Sequence, residues 1–242
     1  MKSTKLCVLL LALGFTINSC TIDTIRVNAD DAITYKKVNI KEYDAIEIAN
    51  GFNAYVTFSD TEESIEVEAN ANLHKYIIAT KKGNKLIVKV KNNINIRGQE
   101  TLNVYIKTKS ISNFSIAADS NIYLQNTLVT ETAKIRIAAD SYFSGKVEVS
   151  GLELTAAADA RADLYGHANY LYADLSADAK LSDYELEVQD LKIRMSADCN
   201  ARLTVTNTID INAIADCTLR YKGDAAIVYK NLKADSKIIK VD

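Results

Sequence analysis

Apolar and polar residues alternate with a period of two along most of the chain, as in KVEVSGLEL (146–154) and YELEVQDLKI (184–193). Such alternation marks strands with one buried face. At nearly constant intervals it runs into a phrase of small residues around an aspartate: SIAADSNIYL, RIAADSYFSG, TAAADARADL, DLSADAKLSD, RMSADCNARL, NAIADCTLRY and NLKADSKIIK. The aspartates are Asp119, Asp140, Asp159, Asp178, Asp198, Asp216 and Asp235, separated by 21, 19, 19, 20, 18 and 19 residues.

With Asp as position zero, the residues three before are Ile116, Ile137, Ala156, Leu175, Met195, Ala213 and Leu232. Three after come Ile122, Phe143, Ala162, Leu181, Ala201, Leu219 and Ile238, so both columns are apolar. Alanine always precedes the aspartate, and Ser, Ala or Cys always follows it. Odd positions, including those two small neighbours, are therefore expected to face inward and Asp outward. Alanine favours helices, but on a helix these apolar positions form no single stripe, so strands are predicted. Copies near 19 residues, each built of short strands, are rungs of a solenoid stacked about 4.8 Å apart. The predicted fold is all-β, a right-handed parallel β-helix or solenoid. Residues 116–242 hold its regular repeats and residues 35–115 an irregular β N-terminal half. KKGNK (81–85) reads as a hairpin turn. No linker divides the halves, so 35–242 is expected to be one domain.

The chain opens MKSTKLCVLLLALGFTINSC, with Lys2 and Lys5 before an apolar run and a cysteine after a small residue. This predicts a secretory signal over residues 1–19. Its end resembles the lipobox of bacterial lipoproteins, which implies lipidation at Cys20, and residues 20–34 are then expected to be a tether. The mature chain is expected outside the cytoplasm, lipid-anchored to the cell envelope at the outer membrane, with either face open. Net charge is −2 with acids and bases interspersed, which gives no basic stripe for nucleic acid. Proline and tryptophan are absent, and 13 tyrosines stand against 5 phenylalanines, a composition that suits strands better than loops.

The phrases YDAIEIANGFNAYVTF, IEVEANANLHKYIIATKKGNKLIVKV and TLNVYIKTKSISNFSIAADSNIYL, with the later strand phrases, resemble the bacterial family called putative auto-transporter adhesin, head GIN domain. The resemblance spans roughly residues 35–242 and implies a β-helical fold in an envelope lipoprotein. In that family the repeated phrase usually reads glycine, serine, glycine, aspartate. Here alanine replaces the glycines, while Asp119, Asp140, Asp159, Asp178, Asp198 and Asp216 match the family's aspartate.

Carboxylates about 4.8 Å apart repel by about 1 kcal/mol in water and about 3–4 kcal/mol at an effective dielectric near 20. The aspartate column therefore calls for backbone N–H groups at a bend, for cations two residues on (Arg161, Lys180, Lys237), or for bound Ca²⁺. Its readings are a structural corner, a cation- or ligand-binding surface, or a reaction centre built from Asp159, Asp178 and Asp198 with Arg161 or Lys180. A reaction centre should break the repeat, and no phrase does so. His74 and His167 have no partner at metal-ligand spacing. Cys199 and Cys217 share one inward column in successive rungs, within reach of a disulfide but with the strained geometry of stacked neighbours, so a bridge and two free thiols both stand. Tyr123, Tyr142, Tyr165, Tyr172 and Tyr184 are expected on outer faces, where they cap strands or stack on sugar rings or a partner protein.

The expectation is a non-catalytic envelope lipoprotein without cofactor, presenting a solenoid surface to a glycan or envelope protein. The alternatives are a carbohydrate-active β-helix and a structural assembly protein.

Overall fold

The computed structural model describes residues 24–242; the predicted signal segment 1–19 and Cys20 lie outside the described residues. The first part contains β1 (Ile25–Asn28), β2 (Ile33–Val38), β3 (Ala45–Ala49), β4 (Asn53–Phe58), β5 (Ser64–Asn70), a 3-10 helix (Ala71–Tyr76), β6 (Ile77–Lys82), β7 (Lys85–Val90), β8 (Ile94–Arg97) and β9 (Leu102–Thr108). The repeats contain β10 (Asn113–Ala117), β11 (Asn121–Leu124), β12 (Leu128–Ala138), β13 (Tyr142–Ala157), β14 (Arg161–Ser176), β15 (Lys180–Ser196), β16 (Asn200–Ile214), β17 (Thr218–Lys222), β18 (Ala226–Lys233) and β19 (Lys237–Lys240).

These stack as a β-solenoid of about seven turns. Each rung runs up to a corner along one wall and leaves it along a second. On the approach wall the order is β7–β3–β10–β12–β13–β14–β15–β16–β18, all parallel. On the exit wall it is β9–β4–β11–β13–β14–β15–β16–β17–β19, again parallel. Antiparallel strands close the first end: β6 covers β7 through the hairpin turn predicted at KKGNK, and β5 then β2 cover β9.

The two apolar columns stand in register as predicted. Val88, Ile48, Ile116, Ile137, Ala156, Leu175, Met195, Ala213 and Leu232 are successive partners on the approach wall. Val104, Ala54, Ile122, Phe143, Ala162, Leu181, Ala201, Leu219 and Ile238 do the same on the exit wall. All but the terminal Leu232 and Ile238 are buried. Each full-sized side chain there contributes about 1.5–3 kcal/mol, and each rung covers the exposed edge of the last. The rings of Phe114 and Phe143 meet edge to face at 5.2 Å.

Three sequence expectations are corrected. The alanine before each aspartate does not face inward: Ala139, Ala158, Ala177, Ala197 and Ala234 are exposed, and Ala118 and Ala215 half-buried. Alternation fails there because the alanine and the aspartate both adopt positive φ, and two successive left-handed residues turn the chain from the approach wall onto the exit wall. Second, part of the N-terminal half is regular. β3 and β4 form a full rung around Asn50 (φ 62°) and Gly51 (φ 82°), in register with β10 and β11 around Ala118 and Asp119. Asn-Gly accepts this corner at least as readily as Ala-Asp, and an alignment anchored on Ala-Asp passes over it. Third, the expected tether carries β1, paired with β8, and the start of β2. Val27 packs into the core because TIRVN already alternates.

Candidate functional site

The corner is built from backbone. The N–H of Gly51 donates to the Ala118 carbonyl at 3.0 Å, that of Asp119 to Ala139 at 3.0 Å, and that of Asp140 to Ala158 at 3.0 Å. The same bond joins Asp159 to Ala177, Asp178 to Ala197, Asp198 to Ala215 and Asp216 to Ala234, at 2.8–2.9 Å. One residue further, the buried small side chains finish the turn: Ser120 Oγ donates to the Ala118 carbonyl at 3.2 Å and Ser141 Oγ to Ala139 at 3.1 Å. In the later rungs Cys199 Sγ donates to Ser196 at 3.2 Å and Cys217 Sγ to Ile214 at 3.3 Å. Both cysteines are buried free thiols, and burial, the largest influence, pushes the Cys199 thiol up to about 11 and Cys217 upward.

All seven corner carboxylates are exposed, and among the described residues none accepts a hydrogen bond or joins an ion pair. Neither backbone N–H groups nor the cations two residues on neutralise them. Arg161 pairs with Asp163 at 3.5 Å instead, because two residues past the turn a side chain already stands out along the exit wall. The seven aspartates hardly differ in φ, 56–61°. Among the described residues no three His, Cys, Asp or Glu side chains converge as a metal cradle. His74 Nε2 lies 3.0 Å from Thr34 Oγ1, and His167 Nε2 3.0 Å from Asn169 Oδ1.

The exit wall carries two side-chain ladders outside. Tyr105, Tyr55 and Tyr123 stack at centroid spacings of 5.2 and 5.4 Å, and Tyr142 meets Tyr123 edge to face at 5.8 Å. Beside them Asn121 donates to Asn53 at 2.8 Å, and Asn53 to Asn103 at 3.1 Å. Both ladders end on Glu68, which accepts from Asn103 (2.8 Å), Tyr105 (2.8 Å) and Tyr35 (2.6 Å). Those bonds hold the Glu68 carboxyl below its ordinary value, and the carboxylate pushes Tyr105 up to about 12. With ring faces covered by neighbouring rings, this stack joins rungs and leaves little open face for a ligand.

The approach wall differs. A groove of about 670 Å³ crosses its outer face, floored by Gly151 and bordered by Tyr170, Tyr172, Lys134, Lys192 and Arg194. Lys134, Glu153, Tyr172 and Lys192 are successive register partners, as are Thr132, Gly151 and Tyr170. Gly151 therefore leaves a gap beside Tyr170, which is 44% exposed. Arg194 lies over the Tyr172 ring at 5.7 Å, Lys134 pairs with Glu153 at 2.5 Å, and Lys192 with Asp210 at 3.5 Å. The open face of Tyr170 beside cations suits the apolar face and polar rim of a sugar ring.

The five tyrosines singled out in the sequence are not brought together. Tyr123 and Tyr142 belong to the ladder, Tyr172 to the groove, Tyr184 lies under Lys222 at 5.3 Å, and Tyr165 stands exposed. Sequence reasoning missed Tyr170, Gly151, Lys134, Lys192 and Arg194. Stacking the later half of each repeat would have shown Lys134, Glu153, Tyr172 and Lys192 as one outward column.

The family described as putative auto-transporter adhesin, head GIN domain, matches residues 42–225. No curated protein matches the chain significantly. Among solved structures, a putative adhesin from Bacteroides fragilis superposes with a TM-score of 0.80 at 14% identity, covering 89% of this chain and 100% of its own. A putative adhesin from Parabacteroides merdae gives 0.74 at 18% identity (90% and 99% covered). A putative lipid binding protein from Parabacteroides distasonis gives 0.74 at 14% (90% and 100%). At these identities the likeness is one of fold.

Proposed function

The chain belongs to the putative auto-transporter adhesin, head GIN domain family, and from that premise we propose that it is a non-catalytic envelope lipoprotein whose solenoid wall binds a glycan during adhesion. Lipidation at Cys20 holds it to the membrane, and the stiff stack carries the approach wall away from the bilayer. The observation that carries the reading is the groove beside Gly151, where the open ring of Tyr170 and the Arg194–Tyr172 pair form one surface. Binding there needs no proton transfer and no cofactor: the rings supply contact area, while Arg194, Lys134 and Lys192 supply donors to hydroxyl and acidic groups. Because the floor is sheet, the side chains are positioned before the ligand arrives, which lowers the ordering cost of association.

A glycan array probed with the purified chain tests this. Binding to a defined set of glycans, reduced about tenfold or more by Tyr170→Ala or Arg194→Ala with unfolding unchanged, is the expected result. Release of soluble product from polysaccharide, lost in Asp178→Asn, would instead establish the carbohydrate-active alternative. Fractionation of cells carrying Cys20→Ala tests the anchor separately: the variant should leave the membrane fraction.

A further inference from the structure

On the exit wall, β15 changes length against both of its neighbours. From Ala162 to Gly166, β14 takes four steps while its partner β15 takes five, from Leu181 to Leu186. On the other side, β15 takes five steps from Ser182 to Glu187 while β16 takes two, from Arg202 to Thr204. The surplus of β15 is a bulge at Ser182–Glu185, pinned where Asp183 Oδ1 accepts the Glu185 N–H at 3.0 Å and where Thr204 Oγ1 donates to the Tyr184 carbonyl at 2.7 Å. Bulges of this kind end a ladder and re-aim the side chains beside it.

Next to the bulge lies a depression of about 370 Å³ lined by Arg161, Lys180, Leu181, Ser182, Asn200 and Arg202. Among the described residues, no carboxylate lines it. Arg161 is held by Asp163 at 3.5 Å, itself fixed by the Tyr142 hydroxyl at 2.9 Å. Among the described residues, Lys180 and Arg202 have no side-chain hydrogen bond or ion pair. Arg161 and Lys180 are register partners on adjacent rungs, and Arg202 faces Ser182 on the third. Three cations thus border one hollow from three rungs, with a hydroxyl and an amide between them.

We propose that this notch is a phosphate-binding site, separate from the approach-wall groove. One guanidinium can saturate the two oxygens of a carboxylate, whereas a tetrahedral oxyanion has oxygens for Arg161, Lys180 and Arg202 together and for the Ser182 hydroxyl. The repulsion among cations on neighbouring rungs is relieved when the anion enters. The phosphate can belong to a soluble ester or to a lipid headgroup, and the two present the same oxygens to the notch.

Titration calorimetry and thermal unfolding of the purified full chain with inorganic phosphate, against chloride at equal ionic strength, test the site. Saturable heat and a phosphate-specific rise in Tm are expected. The pair Lys180→Gln with Arg202→Gln should weaken binding about tenfold or more, Lys180→Gln alone by less, and the approach-wall pair Lys134→Gln with Lys192→Gln not at all. Vesicles of phosphatidylglycerol and of phosphatidylcholine separate the sources. Cosedimentation with the former that the double substitution reduces identifies a headgroup, and a response to free phosphate alone identifies a soluble ester. Absence of a phosphate-specific response, or one undiminished in both Lys180 variants, overturns the proposal and leaves the glycan groove untouched.

Discussion

The backbone N–H of Asp140 donates to the carbonyl of Ala158, one rung on, across 3.0 Å. It does so from a residue at φ 56° that follows Ala139 at φ 52°. The corner is therefore a conformation of two residues repeated down the stack, and its cost falls on alanine, since a β-carbon is disfavoured in the left-handed region where glycine is at ease.

Glycine at the corner alanines should stabilise the chain. Ala158→Gly and Ala177→Gly are each expected to contribute about 0.5–1 kcal/mol, net of the extra freedom glycine gives the unfolded chain. Calorimetric unfolding should show Tm rising by a few degrees, additively for well-separated corners.

Gly166 should behave in the opposite way. Its φ is 104°, and a β-carbon there would lie 2.2 Å from the Val147 carbonyl oxygen, a backbone atom that cannot step aside. Gly166→Ala is expected to cost more than about 2 kcal/mol, read as a lower denaturant midpoint.

Glu68 ties the first-end strands to the Asn and Tyr ladders. Its carboxyl is held below its ordinary value of 4.5 by hydrogen bonds from Asn103, Tyr35 and Tyr105. A depressed folded value contributes stability above the unfolded value, lost as pH falls through the folded one. Glu68→Gln should therefore be less stable near neutrality and show a shallower loss of stability below about pH 4.5. The group is half-buried and still screened by solvent, so the difference is small, and unfolding measured from pH 7 to pH 3 reads it.

Cys199 and Cys217 lie in one buried column with thiols shifted upward by burial. Alkylation of the folded chain near pH 8 should leave both unmodified, whereas after unfolding peptide mass spectrometry should find both labelled. A linked peptide containing the two would show that the pair is bridged instead.

Period, strand alternation and the two inward columns were legible because each rests on side chains whose burial repeats every rung. The outward turn of Ala139 and its equivalents was not, since small size marks both an inward position and a tight backbone, and φ leaves no hydropathic trace. Asn50-Gly51 escaped because the conformation is shared while the residue types are not. The Tyr170 groove and the notch at Arg161, Lys180 and Arg202 join residues from three or more rungs, and reading the notch also requires the β15 bulge, visible in the sequence only as intervals of 20 and 18 residues around Asp198.

The aspartate column bonds from rung to rung through its backbone N–H groups, while its carboxylates stay unpaired among the described residues. Thermal unfolding of the chain with Asp140, Asp159, Asp178 and Asp198 all replaced by Asn, compared with Asp159→Val alone, separates the backbone's part from the carboxylates'. Asn tolerates the left-handed region and removes a repulsion of about 1 kcal/mol between exposed neighbours, whereas a β-branched residue there costs at least about 1–2 kcal/mol. An unchanged or higher Tm is expected for the four-Asn chain and a lower Tm for Asp159→Val. A four-Asn chain that loses several degrees would contradict it, because the carboxylates themselves would then be holding the rungs together.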